Sequence, residues 1–297
     1  MYKRTDVKVW FACNNYCTFC VQGDKRFKFQ PRKLEEIRNI LDTEYNDGCK
    51  YVVFTGWEPT VHPNLVEAVA YAKQIGFKQI QIQSNGTTFH DVDYTKSLIA
   101  AGVTEFSPSI HWFHAETHDT QVQTPWAWKK VIKGLIVLKQ LNQIIIINSV
   151  ITKDNYREAP ELAALLLKIG VNQFQFAFVH ILWSAAKNKE TVVPRKSDVI
   201  PYIHKALDLA KKHGVPAYTE AIPYCLMQGY EWAIAENIMP ETSVIDAEYK
   251  IDSYADYRWS EWKAKRKDCK KCSKNDVCEG PWKEYPEIYG WDEFTPV

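Results

Sequence analysis

Cys13-Asn-Asn-Tyr-Cys17-Thr-Phe-Cys20 brings three thiols onto one short stretch, just after the apolar segment Val7-Lys-Val-Trp-Phe-Ala12. Iron–sulfur clusters are normally held by four cysteine thiolates, so a compact set of three can bind a 4Fe-4S cube and leave one iron open. An open position on a metal marks chemistry rather than structure, the logic that separates catalytic from structural zinc. The alternative for these thiols is a zinc knuckle with a fourth ligand from elsewhere, although the stretch has no second C-x2-C and no nearby His. A second set lies in the tail, Cys269-Lys-Lys-Cys272 with Cys278, and Cys225 stands upstream in Ile222-Pro-Tyr-Cys-Leu-Met227. Four thiols suffice to ligate a second 4Fe-4S cluster completely, and they would also suit structural zinc. Cys225 has a further reading as a catalytic free thiol, a hydrogen-atom donor or thiol reactant, with Cys269, Cys272 and Cys278 left as ligands. Cys49 is left over and is expected to be a buried core thiol.

These thiols need a scaffold, and the chain from Val7 to Val179 alternates short apolar runs with longer amphipathic ones. Strands are expected near 7–12, 51–55, 79–83, 105–110, 144–150 and 173–179, and helices near 32–46, 64–75, 94–101, 126–141 and 156–169. Strands separated by helices predict an α/β fold with a parallel sheet of right-handed βαβ units. Gly48, Gly76, Gly102 and Gly170 each follow a helical pattern, as C-terminal helix caps do. Periodicity alone leaves an open doubly wound sheet and a barrel both standing.

The spacing C-x3-C-x2-C, with the aromatic Phe19 before the last Cys, resembles the radical S-adenosylmethionine (radical SAM) superfamily. The resemblance implies a partial (β/α)6 barrel with its active site at the C-terminal strand edges. It also implies a 4Fe-4S cluster on Cys13, Cys17 and Cys20, and S-adenosylmethionine (SAM) chelating the open iron. One electron then cleaves SAM to methionine and a 5'-deoxyadenosyl radical that abstracts a substrate hydrogen. An external one-electron reductant such as flavodoxin or ferredoxin is implied as partner. Gly56-Trp57-Glu58-Pro59 looks like the family's Gly-Gly-Glu-Pro motif for the SAM amino group, with Trp57 in place of the second Gly. Ser84 and Asn85 after the third strand, Ser109 on the fourth and Asn148 on the fifth are the remaining expected cofactor contacts. Ser84 and Asn85 also read as a plain Asn-Gly turn. Asn148 lies in a very apolar run, where an unpaired polar group is costly, and this favours a ligand contact.

The tail spacing C-x2-C-x5-C resembles the auxiliary-cluster extensions of SPASM or twitch type found in radical SAM peptide-modifying enzymes, with Trp282 where the next Cys would stand. On that resemblance the chain divides into a barrel, 1–215, and an auxiliary-cluster extension, 216–297. It implies a substrate radical made in modification of a peptide or protein. The first strand is expected near Val7, without a leader-recognition domain ahead of it, so a small-molecule substrate (nucleoside, sugar or cofactor precursor) is the alternative. A non-catalytic iron–sulfur or zinc protein is the competing class, and it would not need a SAM pocket.

The sequence also bounds partners and surroundings. With 37 basic and 36 acidic residues the net charge is +1, which gives no broad footprint for nucleic acid or an anionic membrane. No apolar run approaches membrane-spanning length and the amino terminus has no signal-peptide core, so a cytoplasmic protein with reduced thiols is expected. His111, Trp112, Phe113, His114, His118 and Asp119 are expected to form a loop at the barrel mouth that shields a radical from water, rather than a metal site. The basic run from Lys263 to Lys267 is expected to be a solvated face.

Overall fold

The computed structural model describes residues 3–23 and 25–297, so Met1 and Tyr2 of the amino-terminal segment lie outside it. Six strands follow the predicted order: β1 (Lys3–Trp10), β2 (Cys49–Gly56), β3 (Gln79–Ser84), β4 (Glu105–Pro108), β5 (Ile144–Ile151) and β6 (Gln173–Phe178). They pair side by side in parallel, each with its sequence neighbour. Three further strands complete the sheet: β7 (Ala217–Glu220), β8 (Thr242–Ile245) and β9 (Lys250–Ile251). The nine-stranded order is β7-β6-β5-β4-β3-β2-β1-β8-β9, so segments beyond residue 215 extend the sheet on both sides. All neighbours run parallel except β8 and β9.

Long crossover helices connect the parallel strands, as parallel pairing requires. They span Leu34–Asn46, Leu65–Ile75, Val92–Ala101, Ala127–Gln140, Ala159–Ile169 and Lys196–Lys212. Gly76, Gly102 and Gly170 occupy the C-cap positions predicted for them, while the first helix caps at Asp47, one residue before Gly48. Ile37, Leu41, Val69, Leu135, Leu138, Leu162 and Leu166 from the helices share one core with Val7, Val9, Val52, Phe54, Ile80, Ile82, Ile145, Ile147, Phe174 and Phe176 from the strands.

The sheet's other face is different. Strands buried on both faces read as continuous apolar runs, but β3 reads Gln-Ile-Gln-Ile-Gln-Ser and β6 Gln-Phe-Gln-Phe-Ala-Phe, with the isoleucines and phenylalanines buried and the glutamines not. Arg4, Asp6, Lys8, Gln81, Asn148, Gln175 and Glu220 likewise alternate with buried neighbours. The sheet therefore turns an apolar face to its helices and a polar, partly open face away from them.

Two segments depart from expectation. The stretch after β4 is not all loop: Ala115–Val122 is a helix, and Trp112 is fully buried. The basic run is not a solvated face at its first residue, because Lys263 lies inside with its ammonium over the Trp282 ring at 3.9 Å. Cys49 is a buried thiol, as expected. Among the described residues no helix is long and apolar enough to cross a membrane.

Candidate functional site

The loop bearing Cys13, Cys17 and Cys20 leaves the C-terminal end of β1 and is fixed by both backbone and side-chain bonds. Tyr16 N and Thr18 N donate to the carbonyls of Val122 and Gln121, both at 2.9 Å, and Ser184 N donates to the Cys20 carbonyl at 3.1 Å. The helix missed in the sequence thus supplies the carbonyls that shape the thiol loop. Phe19 wedges beneath it, edge-on to His111 at 4.8 Å and tilted against Trp112 at 5.6 Å. His111 has a structural bond, its Nδ1 accepting from Val150 N at 3.0 Å.

Burial pushes the Cys13 thiol up to about 12 and the Cys17 thiol well up; Glu58 and Cys20 raise Cys13 further, and Cys20 and Cys13 raise Cys17. Asn15 N donates to Cys13 Sγ at 3.3 Å, and Asn85 Nδ2 approaches the same sulfur at 3.7 Å. These are contacts that suit a sulfur carrying negative charge. Among the described residues, Asn15 Oδ1, Arg26 Nη1 and Trp57 Nε1 are buried without hydrogen-bond partners beside the loop. Buried polar groups are nearly always paired, so three orphans here leave unfilled bonding capacity next to three thiols. The donor set fits a cluster with an open iron.

The strand ends meet at this loop. Gly56, at φ 128°, has its α-carbon so close to β1 that a Cβ would stand 2.0 Å from the Trp10 carbonyl oxygen, so only glycine fits. Trp57 N and Glu58 N then donate to the carbonyls of Trp10 and Ala12, both at 3.1 Å. Glu58 is fully buried, and its carboxylate accepts from Thr60 N at 3.0 Å, Thr60 Oγ1 at 2.5 Å, Ser84 Oγ at 2.7 Å and Asn85 N at 2.6 Å. Burial raises its pKa, and these donors oppose the shift. Asn85 forms the expected turn, accepting from Thr87 N at 3.0 Å, and also reaches Asn14 Oδ1 at 2.6 Å. Ser109 N bonds the Ser84 carbonyl at 2.9 Å and pairs across to Asn148. Gly56, Trp57, Glu58, Ser84, Asn85, Ser109 and Asn148 therefore gather at one sheet edge with Cys13, while Phe19 is taken up by packing.

In the tail, Cys225, Cys269, Cys272 and Cys278 all line one cavity of about 420 Å³ including its mouth, walled by Pro223, Lys265, Trp291 and Phe294. Lys274 N donates to Cys272 Sγ at 3.4 Å. Burial and the neighbouring Cys278 push the Cys225 thiol up to about 12. Among the described residues no three His, Cys, Asp or Glu side chains converge to hold a single metal ion. Trp282, at the position where a further Cys was sought, is a tether: its Nε1 donates to the Phe178 carbonyl at 3.2 Å and its indole stacks on His180 at 3.9 Å.

Sequence reasoning missed a polar chain that runs from the strand ends to the tail. From Asn148 Oδ1 a chain runs through Gln175 Nε2 (3.2 Å) to Glu220 Oε2 (3.4 Å). Arg258 continues it, 3.7 Å from Glu220 and hydrogen-bonded to Glu279, whose other oxygen lies 3.5 Å from Lys263 Nζ. Glu279 adjoins Cys278. The alternation of glutamine with phenylalanine in β6 and a carboxylate beside a tail thiol were the available signals.

Residues 7–166, more than half of the chain, match the family model of the radical SAM superfamily. The chain belongs to the radical SAM superfamily. It is therefore an enzyme of that family, which works with a 4Fe-4S cluster and SAM, and its parallel sheet is the radical SAM barrel. Over 211 residues it is 27% identical to a probable GTP 3',8-cyclase of Saccharolobus islandicus (strain M.14.25 / Kamchatka #1), covering 70% of this chain and 67% of that one. Among solved radical SAM folds it is similar to Streptococcus suis SuiB bound to the precursor peptide SuiA, with TM-score 0.66, 14% identity and coverage of 94% of this chain and 71% of that chain. It is also similar to anSMEcpe with bound AdoMet, with TM-score 0.70, 14% identity and coverage of 94% and 89%.

Proposed function

We propose that the chain is a radical SAM enzyme acting on a peptide or protein, with residues 1–215 as the barrel and 216–297 as a twitch-like extension carrying a second 4Fe-4S cluster. The observation that carries this reading is that Cys225, Cys269, Cys272 and Cys278 all line one cavity. When bound, the cluster and SAM would supply the family's chemistry, a one-electron cleavage of SAM that yields a carbon radical able to take a hydrogen from the substrate.

The protein's own contribution is position and exclusion. Cys13, Cys17 and Cys20 hold the first cluster, Gly56, Trp57, Ser84, Asn85, Ser109 and Asn148 border the SAM site, and Glu58 braces two strand ends beneath it. The polar sheet face offers glutamine and asparagine amides to a substrate rich in amides. Cys225 is assigned as a ligand in preference to a free thiol, because it lines the same cavity as the other three. An external one-electron donor of flavodoxin or ferredoxin type completes the system. Likeness over 94% of the chain to SuiB bound to its precursor peptide supports the peptide substrate. A small-molecule substrate is the second reading, favoured by the cyclase of Saccharolobus islandicus, whose match leaves about 30% of this chain uncovered.

The test is anaerobic reconstitution with iron and sulfide, then SAM and reductant, with 5'-deoxyadenosine measured by mass spectrometry. The wild type should form it and Cys17→Ala should not. Candidate peptides and nucleotides supplied in parallel decide the substrate class: deuterium transfer from a labelled peptide into 5'-deoxyadenosine supports the first reading, and transfer from a nucleotide only would replace it with the second. A protein that takes up zinc alone and never cleaves SAM would sink both.

A further inference from the structure

We infer that Arg26 is a positioning cation for the three-thiol loop, clamped between Tyr16 and Trp57 so that its fixed positive charge raises the reduction potential of the cluster held there. The inference rests on the reading of Cys13, Cys17 and Cys20 as cluster ligands and goes beyond it. The guanidinium carbon lies 4.3 Å from the Tyr16 ring centre and 4.5 Å from that of Trp57. Nη2 donates to the Asn15 carbonyl at 2.9 Å. Asn15 and Tyr16 both lie between Cys13 and Cys17, so Arg26 is bound to the ligand loop itself. Among the described residues, Nη1 and Trp57 Nε1 are buried without hydrogen-bond partners.

Guanidinium is always charged, planar and weakly hydrated, which suits it to a slot between aromatic rings. A cluster taking one electron from an external donor gains one negative charge with no bond made or broken, and a cation held nearby favours that reduced form. The inference also explains the departure at Trp57. A glycine there would leave Arg26 stacked on Tyr16 alone, whereas the indole supplies the second wall.

The experiment is a redox titration of the reconstituted full-length chain, followed by electron paramagnetic resonance. The signal that changes on adding SAM identifies the cluster with the open iron. Arg26→Gln should keep that signal and its iron while lowering the reduced-to-oxidised ratio at a fixed potential about tenfold, equivalent to 59 mV for a one-electron couple. Arg26→Lys keeps the charge and should shift by less, and Trp57→Gly should shift the same way as Arg26→Gln but by less. A normal cluster in Arg26→Gln with an unmoved potential overturns the inference. Should Arg26→Gln bind no iron, the other two variants decide, and unmoved potentials in both overturn it. A wild type with no SAM-responsive signal would sink the ligand reading underneath, an outcome distinct from a normal cluster at an unchanged potential.

Discussion

Glu58 separates two roles that one residue type can play at this position, and the separation is measurable. As the family's Gly-Gly-Glu-Pro motif is usually read, its carboxylate faces the SAM ammonium. Here it accepts four hydrogen bonds from Thr60, Ser84 and Asn85 with no exposed surface. In Glu58→Ala the Ser84 and Thr60 hydroxyl oxygens still accept from Gly86 N and Thr88 Oγ1, but their O–H groups lose the carboxylate as acceptor. Thr60 N and Asn85 N lose theirs as well. At about 1–3 kcal/mol for each unsatisfied group, the loss is about 4 kcal/mol. Glu58→Gln can keep one oxygen on the Thr60 and Ser84 donors, but its amide nitrogen then faces Asn85 N, donor against donor, which costs about 2 kcal/mol.

Urea unfolding of the iron-free protein, followed by far-ultraviolet circular dichroism, reads this directly because no SAM is present. The expected order of stability is wild type, Glu58→Gln, Glu58→Ala, in steps of about 2 kcal/mol. SAM cleavage should fall in the same order. If both variants match the wild type within about 0.5 kcal/mol, the scale of a neutral surface change, yet fail to bind SAM, the bracing role is refuted and the carboxylate serves the ligand.

Three further outcomes are expected. Cys269→Ser should lower the iron content of the reconstituted chain from about eight to about four atoms while retaining the SAM-responsive paramagnetic signal; loss of all iron would contradict two independent sites. Arg258→Leu removes the cation shared by Glu279 and Glu220, leaving Glu279 with Lys263 alone and Glu220 without its ion pair, so thermal and urea unfolding should register a loss of about 3 kcal/mol. His118 is buried and its pKa falls to about 4, chiefly through desolvation. Because the unfolded imidazole titrates near its ordinary value, the unfolded state binds the extra proton between about pH 6.5 and 4, and stability must fall as pH falls through that window by about 3 kcal/mol. His118→Leu should flatten this part of the profile in a pH series of urea titrations, and an unchanged slope would refute it.

The elements legible in the sequence were those with their own periodicity. Strands β1 to β6 and their helices carry apolar repeats long enough to announce themselves. Ala115–Val122 does not, because it buries only His118 and Val122 and its sequence has no apolar stripe; its use lies in the carbonyls it offers the thiol loop. Strands β7 and β8 have four residues each, too few for a pattern, and are strands because β6 and β1 present free edges. Lys263 misled for a related reason. A run of like charges normally faces water, and this lysine is drawn inward by Trp282, Glu236 and Glu279, partners that only the fold assembles. The polar sheet face was visible in Gln79-Ile-Gln-Ile-Gln and Gln173-Phe-Gln-Phe, where period-two alternation contradicts a sheet covered by apolar layers on both sides.

That polar face bears on how the tail is held. A tail docked on apolar contacts alone would gain stability from area but could slide, since dispersion is not directional. Glu220, Arg258, Glu279, Lys263 and Glu236 give the docking fixed directions at the cost of burying charge. Replacing such a network by well-packed apolar groups is often neutral or stabilising, so its presence is poorly explained by stability alone. What it fixes is the position of Glu279, and through it Cys278, relative to the end of β7 and the amide-lined sheet face. On the proposed function, electron exchange between a substrate radical and a tail cluster would depend on that separation, and a directional ion network anchored at both ends holds it more narrowly than an apolar contact of equal area.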